Sequence, residues 1–120
     1  MTTIYSHAPS GREEQAFRDA YVECALWANG QDEVSDADAD ILHREAYDFL
    51  ADEHAVRLIQ AAMHRRRGYD WTSAGHDFYL TREGHGAGFW DRGLGMVGDA
   101  LTVVAKPWGS SDYFPEVEES

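Results

Sequence analysis

The chain has 120 residues and a mass of 13.5 kDa, which is the size of a single domain. Its 22 acidic and 10 basic residues give a formal net charge of -12, which would repel the phosphate groups of nucleic acids and anionic membranes. We therefore expect one folded domain over residues 1–120, with loose ends at 1–11 and 116–120, that binds neither nucleic acid nor a membrane directly.

The first helix is predicted over residues 12–28. Apolar residues recur at helical spacing from Phe17 to Ala25, and Gly30 follows as a typical helix end. The single cysteine, Cys24, lies on the apolar face and cannot form an internal disulfide, which favours a reducing compartment. The start of the chain has no apolar segment of the signal-peptide type, so the cytoplasm is the expected location.

A second, longer helix is predicted over residues 36–67. An apolar stripe runs along it, Ser35 precedes it as an N-cap, and Gly68 follows it. Acidic residues dominate its first part and arginines its second, but the helix dipole accounts only for the first and last turns. We therefore expect the acidic side chains to form a contact surface for a basic partner protein. These side chains are Asp38, Asp40, Glu45, Asp48, Asp52 and Glu53.

The stretch 75–93 concentrates aromatic residues, histidines and glycines, and is predicted to form a β-hairpin. The period of two from Asp77 to Arg82 favours a half-buried strand. The glycines that follow favour a tight turn, and residues 87–91 would return as the second strand.

After the hairpin, apolar residues at helical spacing from Leu94 to Trp108 predict a further helix, with Asp99 near its start and Pro107 at its end. Residues 112–114 would add a short edge strand before Pro115. The predicted fold class is therefore α+β, with two N-terminal helices, a β-hairpin, a further helix and a third strand. The helices would pack on one face of a small antiparallel sheet.

The polar residues of the predicted hairpin allow two interpretations. One is a metal or acid–base cluster, with an arginine holding an anionic substrate. The residues of that cluster would be His76, Asp77, His85 and Asp91. Their spacing matches no zinc motif, so we favour a structural role, with no metal, no cofactor and no catalysis. The residues expected to tie the hairpin together are His76, Asp77, Thr81, Arg82, His85, Asp91 and Arg92.

The run GHDFYLTREGHGAGFWDRG over residues 75–93 resembles a family of small bacteriophage and prophage proteins. Its members share a GHDF-x-LTR-x-GHGAGFWDRG core, followed by a GD-x-LT-x-x-A-K segment and an aromatic–Gly pair. These correspond to residues 98–106 and 108–109, and the chain departs from the pattern at Val103-Val104 and Pro107. The resemblance covers the C-terminal third of the chain. It implies a phage or prophage origin and implies no biochemical activity.

Charge and resemblance together predict a non-catalytic binding protein. We expect it to act in the host cytoplasm on a host protein with a basic surface. It would block the nucleic-acid-binding groove of a host or defence complex by mimicking the charge of DNA, as an anti-restriction or anti-CRISPR protein would. Two alternatives stay open: a small enzyme that uses the His/Asp cluster, and a phage structural or packaging accessory. The partner and the oligomeric state do not follow from the sequence.

Overall fold

The computed structural model describes residues 8–84 and 86–115, and their secondary structure is helical. These residues form five α-helices and two single-turn 3₁₀ helices, and they contain no β-strand. The predicted α+β fold class is therefore wrong, and so are the predicted hairpin and antiparallel sheet. The α-helices are α1 (Gly11–Ala28), α2 (Asp36–Leu50), α3 (Glu53–Arg65), α4 (Trp71–Glu83) and α5 (Met96–Ala105). The 3₁₀ helices are Phe89–Asp91 and Lys106–Trp108.

Helix α1 begins at a capping box. The Ser10 N–H donates to Glu13 Oε1 at 2.8 Å, and the Glu13 N–H donates to Ser10 Oγ at 3.2 Å, so two exposed backbone donors are satisfied. At its other end, Gly30 adopts a left-handed φ of 66° that lets the chain leave the helix. The helix predicted over residues 12–28 is confirmed, and the free thiol of Cys24 is buried on its inner face.

The predicted long helix over residues 36–67 is in reality two helices, because Asp52 starts a new one. Helix α2 ends at Leu50, and the Asp52 carboxylate accepts a hydrogen bond from the His54 N–H at 2.9 Å as the N-cap of α3. Aspartate competes for nearby backbone N–H groups, which favours it at helix starts over helix interiors. The break was not predicted because the apolar stripe continues across it and neither glycine nor proline occurs there.

Helix α4 occupies the segment predicted as the first hairpin strand. The Asp70 carboxylate accepts from the Ser73 N–H at 2.9 Å as its N-cap, and Gly84 ends the helix with a φ of 67°. The strand prediction is wrong because α4 is buried on almost every side. Its apolar residues therefore do not recur with the period of 3.6 that distinguishes an amphipathic helix from a strand. Its buried residues are Trp71, Ala74, Gly75, Asp77, Phe78, Tyr79, Leu80 and Thr81.

The segment predicted as the returning strand is a loop that ends in a 3₁₀ helix. The Phe89 N–H donates to Thr81 Oγ1 at 3.1 Å, which folds the loop back onto α4. The backbone at Gly88 approaches α4 closely, because a Cβ atom there would collide with the Thr81 hydroxyl. Asp91 stabilises the same turn by accepting from the Gly88 N–H at 3.1 Å.

The C-terminal part begins with the predicted further helix, which is present as α5 and the 3₁₀ helix after it. The predicted edge strand over residues 112–114 has no regular structure. Instead, the Asp112 N–H donates to Glu45 Oε2 of α2 at 2.7 Å. A side chain, rather than a neighbouring strand, therefore satisfies the backbone there.

The core lies where α1, α2 and α4 meet, and aromatic rings dominate it. The Phe49 and Phe78 rings stack with centroids 3.8 Å apart, and Phe17 packs 6.1 Å from Phe49. Helices α1 and α4 approach closely because Gly75 has no side chain. A Cβ atom at that position would collide with the Phe17 carbonyl oxygen. Within the described residues, no helix is long and apolar enough to cross a membrane.

Candidate functional site

The acidic residues predicted to contact a partner fall into three groups. Asp40 and Asp48 are exposed on α2 and form no ion pair with any described residue, whereas Asp38 is half-buried. Tyr47, beside Asp48, is also 52% exposed. Asp40 and Asp48 are thus the predicted contact residues that are exposed on α2, and Asp36 at the helix start, which was not predicted, is exposed as well.

Glu45, by contrast, is part of the interior. Its Oε1 accepts hydrogen bonds from the Tyr21 hydroxyl at 2.8 Å and the Ser111 hydroxyl at 2.6 Å, and its Oε2 accepts from the Asp112 N–H. Its side chain is 13% exposed and lies 3.5 Å from Arg82 Nη1. A carboxylate with this many partners is not available to a binding protein.

The two remaining acids belong to the start of α3. Asp52 caps that helix, and Glu53 lies 3.8 Å from Arg57 with both side chains largely exposed. An exposed pair of this kind contributes less than about 1 kcal/mol. Because the helix breaks here, both acids lie at the N-terminus of α3. The helix dipole favours acidic residues at that position, so their presence requires no partner protein.

Arg82 links α4 to the C-terminal loop. Its guanidinium donates to the carbonyl oxygens of Trp108, Gly109 and Ser110 at 2.9, 2.6 and 3.0 Å. Its Nη1 donates to the Tyr21 hydroxyl at 2.9 Å, and the side chain is only 5% exposed. Arg82 is therefore committed to the fold and does not hold an anionic substrate.

The Tyr21 hydroxyl accepts from Arg82 and donates to Glu45 in this network. Burial raises its pKa well above the usual range, although the charge of Arg82 opposes the shift. The phenol stays protonated and keeps donating to the carboxylate at any physiological pH.

A cleft of about 420 Å³ opens between the C-terminal end of α3 and the first turns of α4. It contains two of the residues of the predicted His/Asp cluster and one of the predicted arginines. The residues that line it are Arg66, Arg67, Gly68, Tyr69, Ser73, His76, Asp77 and Arg92.

Asp77 is the buried centre of this cleft. It is 1% exposed, and its Oδ1 and Oδ2 accept hydrogen bonds from Arg92 Nε and the Tyr69 hydroxyl, each at 2.8 Å. Burial raises the pKa of Asp77, while Tyr69 and Arg92 act in the opposite direction by holding the carboxylate form. Burial likewise raises the pKa of Tyr69 far above its usual range, and Asp77 adds to that shift.

The other members of the predicted cluster do not converge on Asp77. His76 lies at the side of the cleft, where its Nε2 is 3.1 Å from Glu23 Oε1 of α1. Asp91 is exposed and is 3.8 Å from Arg92 Nε, and Thr81 faces Phe89. His85 falls outside the described residues. Among the residues that the structure describes, no group of three or more histidine, cysteine or acidic side chains could hold a metal ion.

Sequence reasoning missed three side chains of the cleft. Arg66 and Arg67 look like the basic end of a helix, and Tyr69 looks like part of a connector. The one available indication was that Gly68 follows three arginines. Its φ of 91° turns the chain so that Tyr69 re-enters the core immediately after the exposed arginines.

The chain was compared with protein-family models, with curated proteins and with solved structures, and none of them matches it.

Proposed function

We propose that this chain is a non-catalytic, phage-type binding protein that acts on a host protein with a basic surface. The observation that carries the proposal is the exposed acidic side of α2, where Asp40 and Asp48 have no cationic partner among the described residues. No neighbouring cation neutralises these surface carboxylates, so they attract and orient a basic partner. Tyr47, the exposed neighbour of Asp48 in the sequence, adds the kind of aromatic contact that is enriched in interfaces.

The class of partner follows from the same charge. A protein with a net charge of -12 competes with nucleic acid for a basic groove rather than binding nucleic acid itself. We therefore propose a nucleic-acid-binding or defence protein of the host as the target, such as a restriction or CRISPR-type complex, with the encounter taking place in the host cytoplasm. The resemblance to phage proteins supports the same class.

A small enzyme remains the second candidate, because the cleft brings His76, Asp77 and Arg92 together. The geometry argues against acid–base chemistry there. Both oxygens of Asp77 are occupied by structural partners, and the His76 ring pairs with Glu23. No described contact favours the third candidate, a phage structural accessory.

The test begins with affinity capture from host lysate and identification of the captured protein by mass spectrometry. Association of the purified partner is then measured for wild type and for the double variant Asp40→Asn with Asp48→Asn, at low and at physiological salt. We expect the on-rate to fall steeply with salt, because the Debye length shortens to about 8 Å, and to be lower for the double variant.

The matched control is Asp32→Asn with Glu33→Gln, which removes the same charge from the exposed α1–α2 connector. It should associate faster than the α2 variant. Equal, salt-independent association of all three proteins would rule out the acidic side of α2 as the contact surface.

A further inference from the structure

Three guanidinium groups line the cleft between α3 and α4, in a protein whose arginines and lysines number only 10. They belong to Arg66, Arg67 and Arg92. Asp77 is the one carboxylate in the lining, and it already accepts two hydrogen bonds. The lining therefore carries an excess of positive charge, opposite to the charge of the molecule as a whole.

The helix dipole accounts for these arginines only in part. Helix α3 ends at Arg65, and Arg66 follows with extended backbone angles, φ -130° and ψ 121°. The dipole acts on the last helical turn, which already contains His64 and Arg65. Arg66 is the C-cap of α3 and is still favoured by the dipole, whereas Arg67 lies one residue further and Arg92 is on another segment.

Ion pairing does not account for Arg66 or Arg67. Arg66 Nη1 donates to the Arg92 carbonyl oxygen at 2.6 Å, which holds two like-charged residues next to each other. Neither Arg66 nor Arg67 lies within ion-pair distance of any described carboxylate. Water and salt screen the repulsion between such exposed like charges, and a bound anion would turn the remaining repulsion into attraction.

One edge of the Arg92 guanidinium is held by Asp77, and the other edge has no partner among the described residues. Its Nε is used by Asp77, which fixes the plane of the guanidinium, and its Nη1 and Nη2 donate to no described group. The side chain is 34% exposed, and Arg92 is one of the residues that line the cleft. A guanidinium fixed on one side and free on the other is suited to bidentate recognition of an oxyanion.

We propose that this cleft binds a small ligand through a phosphate group. The three guanidinium groups are opposed by Asp77 in the lining and by Asp91, which lies 3.8 Å from Arg92 Nε. An excess of about one positive charge is left, which the negative charge of a phosphate group would offset. A volume of about 420 Å³ suits a ligand as small as a mononucleotide. The net charge of -12 disfavours a long polyanion such as DNA or RNA. This site is independent of the proposed acidic contact surface, since different helices carry the two.

Binding is measured on the full chain by two-dimensional NMR titration with inorganic phosphate, with pyrophosphate and with adenosine 5′-monophosphate. Acetate serves as the control for charge without phosphate geometry. We expect saturable shifts of the backbone resonances of residues 66–77 and Arg92 with at least one phosphate probe. Tighter binding of the mononucleotide than of phosphate would identify a phosphate-bearing small molecule, and the reverse order would identify the free ion.

The diagnostic variant is Arg67→Gln, because Arg67 forms no hydrogen bond or ion pair with any described residue and its loss should not unfold the protein. It should weaken phosphate binding about tenfold, as expected for one lost charged contact. Arg57→Gln is the matched control, since Arg57 is an exposed arginine of α3 outside the cleft. Equal weakening by both variants, or no saturable shift with any phosphate probe, would overturn the proposal.

Discussion

Replacing Arg92 with alanine should destabilise the protein through Asp77. The substitution leaves a carboxylate that is 1% exposed with the Tyr69 hydroxyl as its remaining partner. Removing one partner of a fully buried ion pair costs about 3–5 kcal/mol. The Arg92 side chain is 34% exposed, so water replaces part of the lost interaction, and we expect a loss of about 1–3 kcal/mol at neutral pH.

The stability lost in Arg92→Ala should depend on pH, because Asp77 can take up a proton. Burial raises the pKa of Asp77 above its ordinary value of 3.8, so the folded protein binds this proton more readily than the unfolded chain. The stability that Asp77 contributes therefore falls as pH rises between the unfolded and the folded pKa. Without Arg92 the folded pKa rises further. The difference between Arg92→Ala and wild type should thus shrink as the pH is lowered and Asp77 becomes protonated in the variant.

The assay is urea unfolding followed by circular dichroism, at neutral pH and at about pH 5. Arg67→Ala is the control, because it removes an arginine from the same cleft without removing a hydrogen bond. Its free energy of unfolding should stay within about 0.5 kcal/mol of wild type. If Arg92→Ala were as stable as wild type, or its loss were the same at both pH values, the Asp77–Arg92 pair would not be the cause.

The other predictions concern the two contacts that hold α4 in place. Gly75→Ala should lower the free energy of unfolding by about 1–3 kcal/mol, because a clash with the Phe17 backbone outweighs the roughly 1 kcal/mol that alanine gains in a helix. Gly11→Ala, which meets nothing within 4 Å, should be neutral or stabilising, and a stabilised Gly75→Ala would contradict the close helix packing. Arg82→Ala should lower stability by about 3–5 kcal/mol, since it leaves the Glu45 carboxylate and three loop carbonyl groups without their cation. A melting temperature unchanged in Arg82→Ala would refute the role assigned to that network.

The helices that the sequence predicts correctly begin or end at residues that are themselves typical of helix ends. Helix α1 has Ser10 and Glu13 at its start and Gly30 after its end, and α5 is followed by Pro107. Helix α4 has equally good caps in Asp70 and Gly84, but its burial on nearly all sides removes the amphipathic period. Burial of this kind is a property of the assembled helices, so a period of two across a few residues was mistaken for a strand.

The acidic site shows a second limit of sequence reasoning. Glu45 resembles the other acids of α2 in every local respect, yet its partners Tyr21 and Ser111 lie 24 and 66 residues away along the chain. Periodicity places a side chain on a face of its own helix, but it does not show what covers that face. The same limit explains why Asp77 was predicted within the central cluster while Tyr69, eight residues earlier, was not recognised as its partner.

The two proposed sites have opposite charge, and this allows each to be tested without disturbing the other. Salt weakens both, so salt dependence alone does not distinguish them. The variants do: neutralising Asp40 and Asp48 should leave phosphate binding unchanged, and Arg67→Gln should leave partner association unchanged. If a saturating phosphate probe altered partner affinity, the partner would have to alter phosphate affinity by the same factor. Such coupling would place the cleft in control of the acidic surface, whereas independent behaviour would make them two separate binding sites on one helical domain.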